Sequence, residues 1–269
     1  MGDANLILIQ RQQLYDSSMP LFLVHDGSGS VGSYNRLGDF GRDTWAFENL
    51  KVQESGIWTG GIQAMAELYC QMIQDVYPQG GIILGGWSIG GLISLEMSHI
   101  LSKVPNITVV GVVMIESLFP GLLNSQNITV EVQDLCFRSK MSVYERKRVA
   151  KLIFEATRVA KSYESAIWTP EISRHDDLNH CKIASDSAAL RTADANPPSP
   201  LVLVKASDPV PSRQGTVIPT LLGWDQLGDR WITAVYTVQG HHFSIFEEEN
   251  VGYLTIILRE ACIILEMSL

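Results

Sequence analysis

Acyl transfer needs a nucleophile, a base and a carboxylate that holds the base, and this chain offers all three in a suggestive order. The nucleophile is Ser88, within Ile82-Ile83-Leu84-Gly85-Gly86-Trp87-Ser88-Ile89-Gly90-Gly91. A serine hydroxyl becomes reactive only when a neighbouring base takes its proton. Glycines two before and two after it, Gly86 and Gly90, remove the Cβ atoms that a very tight strand-to-helix turn would not tolerate. Such a turn lifts the hydroxyl clear of the chain. It also sets the N–H of Ile89 at the start of a helix, facing the same space.

The base belongs in Gln239-Gly240-His241-His242-Phe243-Ser244, a loop after the last strand-like run. Adjacent histidines project in different directions, so one of His241 and His242 reaches Ser88. Two carboxylates satisfy the order serine, acid, histidine. Glu116 follows Thr108–Ile115, and Asp208 follows Leu201–Val204. Either would fix the imidazole tautomer and stabilise the imidazolium through a charge-assisted hydrogen bond. A developing oxyanion needs two N–H donors. One is Ile89. The other is expected from the loop after Leu21–Val24, and Gly27 is the choice because glycine lets backbone approach a substrate closely. The neighbouring carboxylate of Asp26 would oppose an oxyanion, so it must point away.

A rival cluster is His175, Asp176, Asp177, His180 and Cys181. Its spacing matches no zinc pattern, and it reads as a polar, solvated segment with no metal. Two sequons, at Asn106 and Asn127, read as chance matches.

The elements that must position these residues alternate. Leu6–Ile9, Leu21–Val24, Thr44–Phe47, the run into Ser88, Thr108–Ile115, Leu201–Val204 and Ile232–Val238 read as strands. Helical spacing marks Ile62–Val76, the stretch after Ser88, and about Glu247 to Leu265. Ser142 to Ile167 reads as another helix, with Ser142 and Glu145 forming a capping box. Strand, helix, strand implies an α/β chain with a mostly parallel sheet and helices on both faces. With the tight strand-to-helix turn at Ser88, which has the form of a nucleophile elbow, this predicts an α/β-hydrolase fold in one domain over 1–269. About 117–198 is too long for a simple connection and is expected to form a helical lid beyond the carboxyl ends of the strands.

Composition narrows the function. The chain has 269 residues, 46% hydrophobic, enough for one large core. A formal charge of −9, with no basic cluster larger than Glu145-Arg146-Lys147-Arg148 and its neighbours, argues against nucleic acid. No apolar run reaches membrane-spanning length. Cys70, Cys136, Cys181 and Cys262 are widely spaced, as in reduced thiols of a cytoplasmic protein. Met1–Asn5 has no leader character, and a strand almost at the start is what a domain cut from a longer polypeptide would show.

Pro20–Ser30, Leu84–Gly91 and Gly240–Ser244 together resemble the thioesterase domains that end nonribosomal peptide and polyketide synthetases. The corresponding family segments read LFLxxDGSGS, GGWSxGG and GxHFS. The resemblance implies that His242, directly before Phe243, is the base. It implies Glu116 as the acid in Ile115-Glu116-Ser117, where the family usually has aspartate, so Asp208 stays as the alternative. Gly56–Ala66 is similar to fungal adenylation–carrier–thioesterase synthetases such as the terrequinone type, which condense aryl pyruvates. The implied partner is an upstream carrier (thiolation) domain in the same polypeptide, delivering the acyl group on its phosphopantetheine arm, with no cofactor bound directly. The implied activity is that of a serine thioesterase or acyltransferase. A freestanding serine esterase and a non-catalytic binder are the competing classes.

Overall fold

The computed structural model describes residues 4–12, 18–125, 141–164, 199–210, 219–227 and 231–268. Seven strands form one sheet in the order β1-β3-β2-β4-β5-β6-β7. They are β1 (Ala4–Gln10), β2 (Leu21–Val24), β3 (Thr44–Asn49), β4 (Gly80–Trp87), β5 (Ile107–Ile115), β6 (Leu201–Ala206) and β7 (Ile232–Val238). Among the described residues only the β1–β3 pairing is antiparallel. β2, the one strand read as a continuous apolar run, is buried along its whole length.

The central strands are buried on both faces, and alternation sorts their side chains. Phe22, Val24, Ile82, Leu84, Val112, Met114, Leu201 and Leu203 face one core. Leu21, Leu23, Ile83, Val113, Ile115, Val202 and Val204 face the other. Each such side chain withdrawn from water contributes about 1.5–3 kcal/mol. Helices α2 (Gly61–Val76) and α3 (Ile89–Leu101) cover the first face. Helix α6 (Glu248–Met267) covers the second through Leu254, Ile257, Leu258, Ala261, Cys262 and Leu265. This is the α/β-hydrolase arrangement, a mostly parallel sheet with helices on both faces.

Among the described residues three further α-helices lie outside this alternation. Helix α1 (Leu50–Ser55) follows β3 directly, α4 (Pro120–Ser125) follows β5, and α5 (Val143–Lys161) follows later. The Ser142 hydroxyl accepts the Glu145 N–H, and Glu145 reaches back to the Ser142 N–H, so both halves of the capping box form. Helix α5 ends at Lys161, short of the expected Ile167; residues 165–198 lie outside the described residues. Among the described residues no helix is long and apolar enough to cross a membrane.

Candidate active site

Ser88 sits between β4 and α3 at φ 59°, ψ −123°, a left-handed backbone that a side chain adopts only under constraint. Three hydrogen bonds hold it there. Ser88 N–H donates to Ile115 O (2.8 Å), Gly91 N–H to Ser88 O (3.2 Å), and Trp87 N–H to the Tyr34 hydroxyl (2.9 Å). Tyr34 in turn donates to Val24 O (2.6 Å), tying the end of β2 to the turn. Burial pushes the Tyr34 hydroxyl well above its ordinary pKa, so it remains a donor. Sterics explain the glycines. A Cβ on Gly86 would run into the Gly90 backbone, and one on Gly90 would run into Val24 O.

Glu116 follows β5, also at positive φ (50°). Its N–H donates to Val204 O (2.7 Å). One carboxylate oxygen accepts the Ala206 N–H (2.5 Å) at the end of β6, and the other lies 3.2 Å from His242 Nδ1. The carboxylate therefore spans the end of β6 to reach the loop after β7, which is where the extra methylene of a glutamate is taken up. A carboxylate only accepts, so Nδ1 donates to Glu116, and in the neutral tautomer this selects, Nε2 is the nitrogen with the lone pair. The ring of His242 lies against Trp87 (centroids 5.5 Å) and Phe243 (4.7 Å).

The alternatives are placed elsewhere. The exposed Asp208 gives its N–H to Gly240 O (2.9 Å), and it is Glu116 that meets His242. His241 is folded into its own turn: its Nδ1 accepts the Phe243 N–H (3.3 Å), and its own N–H goes to the Ser244 hydroxyl (2.8 Å).

The loop after β2 lies against the start of α3, since a Cβ on Gly90 would also come within 2.6 Å of His25 O. Among the described residues, the N–H groups of Gly27 and Ile89 donate no hydrogen bond. Asp26 turns back on its own loop, accepting the Ser28 N–H (2.9 Å) and hydroxyl (2.5 Å). Helix α5 covers this loop: a Cβ on Gly27 would fall 2.8 Å from the Ala156 Cβ and 3.4 Å from the Ile153 Cα. Of the expected lid, 117–198, the described part is α4, α5 and their flanks; 126–140 and 165–198 are outside it, and with them the His175–Cys181 cluster. Among the described residues no group of acidic, histidine or cysteine side chains could hold a metal.

Sequence reasoning passed over His25. It is fully buried, with Nδ1 2.7 Å from Asp26 O and Nε2 2.7 Å from the Tyr69 hydroxyl. The one signal was its position at the end of the buried run Leu21–Val24.

The family model of the thioesterase domain matches residues 19–260. The chain belongs to that family. Fungal thioesterases are among its relatives. It is 33% identical over 282 residues to the probable thioesterase gloN of Glarea lozoyensis, covering 97% of each chain. It is 32% identical to the thioesterase frbD of a Dothideomycetidae species, covering 96% of this chain and 94% of that one. In solved structures this thioesterase shares its fold with the NocB thioesterase domain of the nocardicin cluster. There the TM-score is 0.66 at 17% identity, over 96% of this chain and 97% of that one. A four-domain nonribosomal peptide synthetase, AB3403, matches with TM-score 0.63 at 23% identity, over 95% of this chain but 20% of that one.

Proposed function

We propose that this thioesterase takes a carrier-bound acyl group onto Ser88 and releases it as a product of secondary metabolism. The observation that carries this is the Glu116–His242 pair, whose imidazole lies against Trp87, directly before a serine held at positive φ. His242 Nε2 takes the Ser88 proton as Oγ attacks the thioester carbonyl. The N–H groups of Ile89 and Gly27 receive the oxyanion. The tetrahedral adduct collapses, the carbon–sulfur bond breaks, and the pantetheine thiolate takes the proton from His242. The acyl-serine is then attacked by a second nucleophile, which His242 deprotonates in its turn; the bond between the acyl carbon and Ser88 Oγ breaks, and Oγ takes that proton back from His242. Glu116 orients the ring throughout and stabilises the imidazolium.

The acyl group arrives on the phosphopantetheine arm of a carrier domain. A carrier upstream in the same polypeptide is favoured by the likeness to AB3403, where the matching region is 20% of a longer chain. A carrier on a separate protein is favoured by the fungal relatives, matched over 97% and 94% of their own length. Activity toward a carrier supplied as a separate protein, compared with one fused upstream, separates the two. The setting we infer is the cytoplasm, where the buried thiols of Cys70 and Cys262 stay reduced.

For the product, we propose condensation of aryl pyruvate-type units, with the α5 helix over the Gly27 loop supporting exclusion of water from the acyl-enzyme. The test is to supply carrier-bound aryl pyruvate and measure condensed product against free acid by mass spectrometry. Condensed product supports the reading. Free acid alone leaves a hydrolytic thioesterase. A marked preference for simple oxygen esters over thioesters would overturn the carrier reading.

A further inference from the structure

The loop that carries Gly27 is held from beneath by a chain of buried polar groups that the proposed mechanism leaves unused. Val52 N–H donates to Asn49 Oδ1 (2.9 Å), which directs the Asn49 Nδ2 to the Tyr69 hydroxyl (3.0 Å). Tyr69 accepts there, so its own proton goes to His25 Nε2 (2.7 Å). That leaves His25 Nδ1 as a donor, and it donates to Asp26 O (2.7 Å). Every hydrogen in the chain has one direction, set by the helix α1 N–H at one end and a carbonyl at the other. Burial lowers the pKa of His25 and raises that of Tyr69, so both stay neutral and the pattern persists.

The consequence lies in the next peptide bond. Asp26 O receives both His25 Nδ1–H and Gly29 N–H (3.1 Å), so this carbonyl is pinned. No peptide bond in the described residues is cis. Across a trans peptide the N–H points opposite to the C=O. Pinning the Asp26 carbonyl therefore aims the Gly27 N–H, and that N–H has no partner among the described residues.

We propose that His25 is a positioning residue for acyl transfer: it fixes the Gly27 N–H as an oxyanion donor, and Asn49 and Tyr69 hold His25 in the tautomer that does so. This rests on the reading of Ser88 as nucleophile. The role is geometric, so an amide that replaces the Nδ1–H donor should restore it. In asparagine the Nδ2 stands where Nδ1 stands in histidine; in glutamine the amide lies one methylene further out.

The experiment compares kcat and KM of His25→Asn, His25→Gln and Tyr69→Phe on a pantetheine thioester, with Ser88→Ala alongside and thermal unfolding as the check on folding. Loss of one oxyanion donor costs about 10²–10³ in rate, so a misaimed one is expected to cost about 30–100-fold in kcat in His25→Gln, with KM changed less than about 3-fold. His25→Asn should stay within about 5-fold of wild type, and Tyr69→Phe should lose about 5–10-fold in kcat. If the His25 variants do not fold, Tyr69→Phe, which removes a single oxygen, decides alone. Equal kcat in His25→Asn and His25→Gln, an effect confined to KM, or an unchanged Tyr69→Phe would overturn the proposal while Ser88→Ala inactivity upholds the nucleophile. Turnover in Ser88→Ala would bring down the nucleophile and the inference together.

Discussion

The loops after β2 and after β7 each carry a histidine, and they use it in opposite ways. His25 has no exposure and both ring nitrogens are bonded, to Asp26 O and to Tyr69. His242 is partly exposed, and its Nδ1 is paired with Glu116. Among the described residues its Nε2 makes no hydrogen bond. A buried ring with both nitrogens bonded to a carbonyl and a tyrosine offers no open lone pair to a nucleophile's proton; it holds its neighbours in place. A ring held on one side and open on the other can carry a proton to and from a nucleophile. The difference is made by neighbours, not by residue type. A tyrosine and a carbonyl close the first ring, whereas a carboxylate orients the second and leaves one nitrogen open.

The sharpest way to break this contrast is to remove the open ring. His242→Ala should lose about 10⁴-fold or more in kcat, as triad knockouts do, whereas His241→Ala should stay within about 3-fold. Rates measured under single-turnover conditions on folded protein check this. The reverse ranking would move the base by one residue. Next in size is the carboxylate. Glu116→Gln keeps the shape but favours the wrong tautomer, so kcat should fall about 10²–10⁴-fold, with Asp208→Asn within about 2-fold. Equal losses would return Asp208 to the site.

The closed loop can be tested by crowding. Gly27→Ala sets a Cβ 2.8 Å from the Ala156 Cβ, which should destabilise the protein by about 1–3 kcal/mol in chemical denaturation. Adding Ala156→Gly should recover part of that loss; no recovery would place the strain elsewhere. The smallest effect is on pH. The pKa of His25 is lowered in the fold from its ordinary 6.5, chiefly by burial. Below that value the unfolded chain binds a proton that the folded chain refuses, so stability falls as pH drops. His25→Asn lacks this dependence. The stability gap between wild type and His25→Asn should therefore narrow between about pH 8 and pH 5, read as the difference in Tm. A constant gap would mean that the folded and unfolded chains bind the His25 proton alike, and a widening gap that the fold holds the ring protonated.

Much of this architecture was legible because it rests on local pattern. Apolar β-branched runs mark the central strands, and Ser142 with Glu145 marks the start of α5 before any contact is known. Helix α1 was not legible. Its six residues bury only Val52, and its cap, Asn49, is also the last residue of β3. Too few turns exist for periodicity to show. The choice between Glu116 and Asp208 was open for a different reason. Both follow strands that end at the same edge, and only the order β5-β6-β7 with the N–H of Ala206 brings the Glu116 carboxylate to His242. His25 and Tyr69 were invisible as a pair. They lie 44 residues apart, and Tyr69 occupies an apolar position of an amphipathic helix, where its hydroxyl gives no sign in the sequence.

The central claim is that Ser88 carries the acyl group between carrier and product. Incubating the protein with an aryl-acyl pantetheine thioester, quenching in acid and mapping the peptides by mass spectrometry tests it most directly. The account predicts one added acyl mass on the peptide that contains Ser88, none in Ser88→Ala, and a much slower appearance in His242→Ala. An unmodified Ser88 peptide during active turnover, or an acyl group carried on another residue, would contradict it.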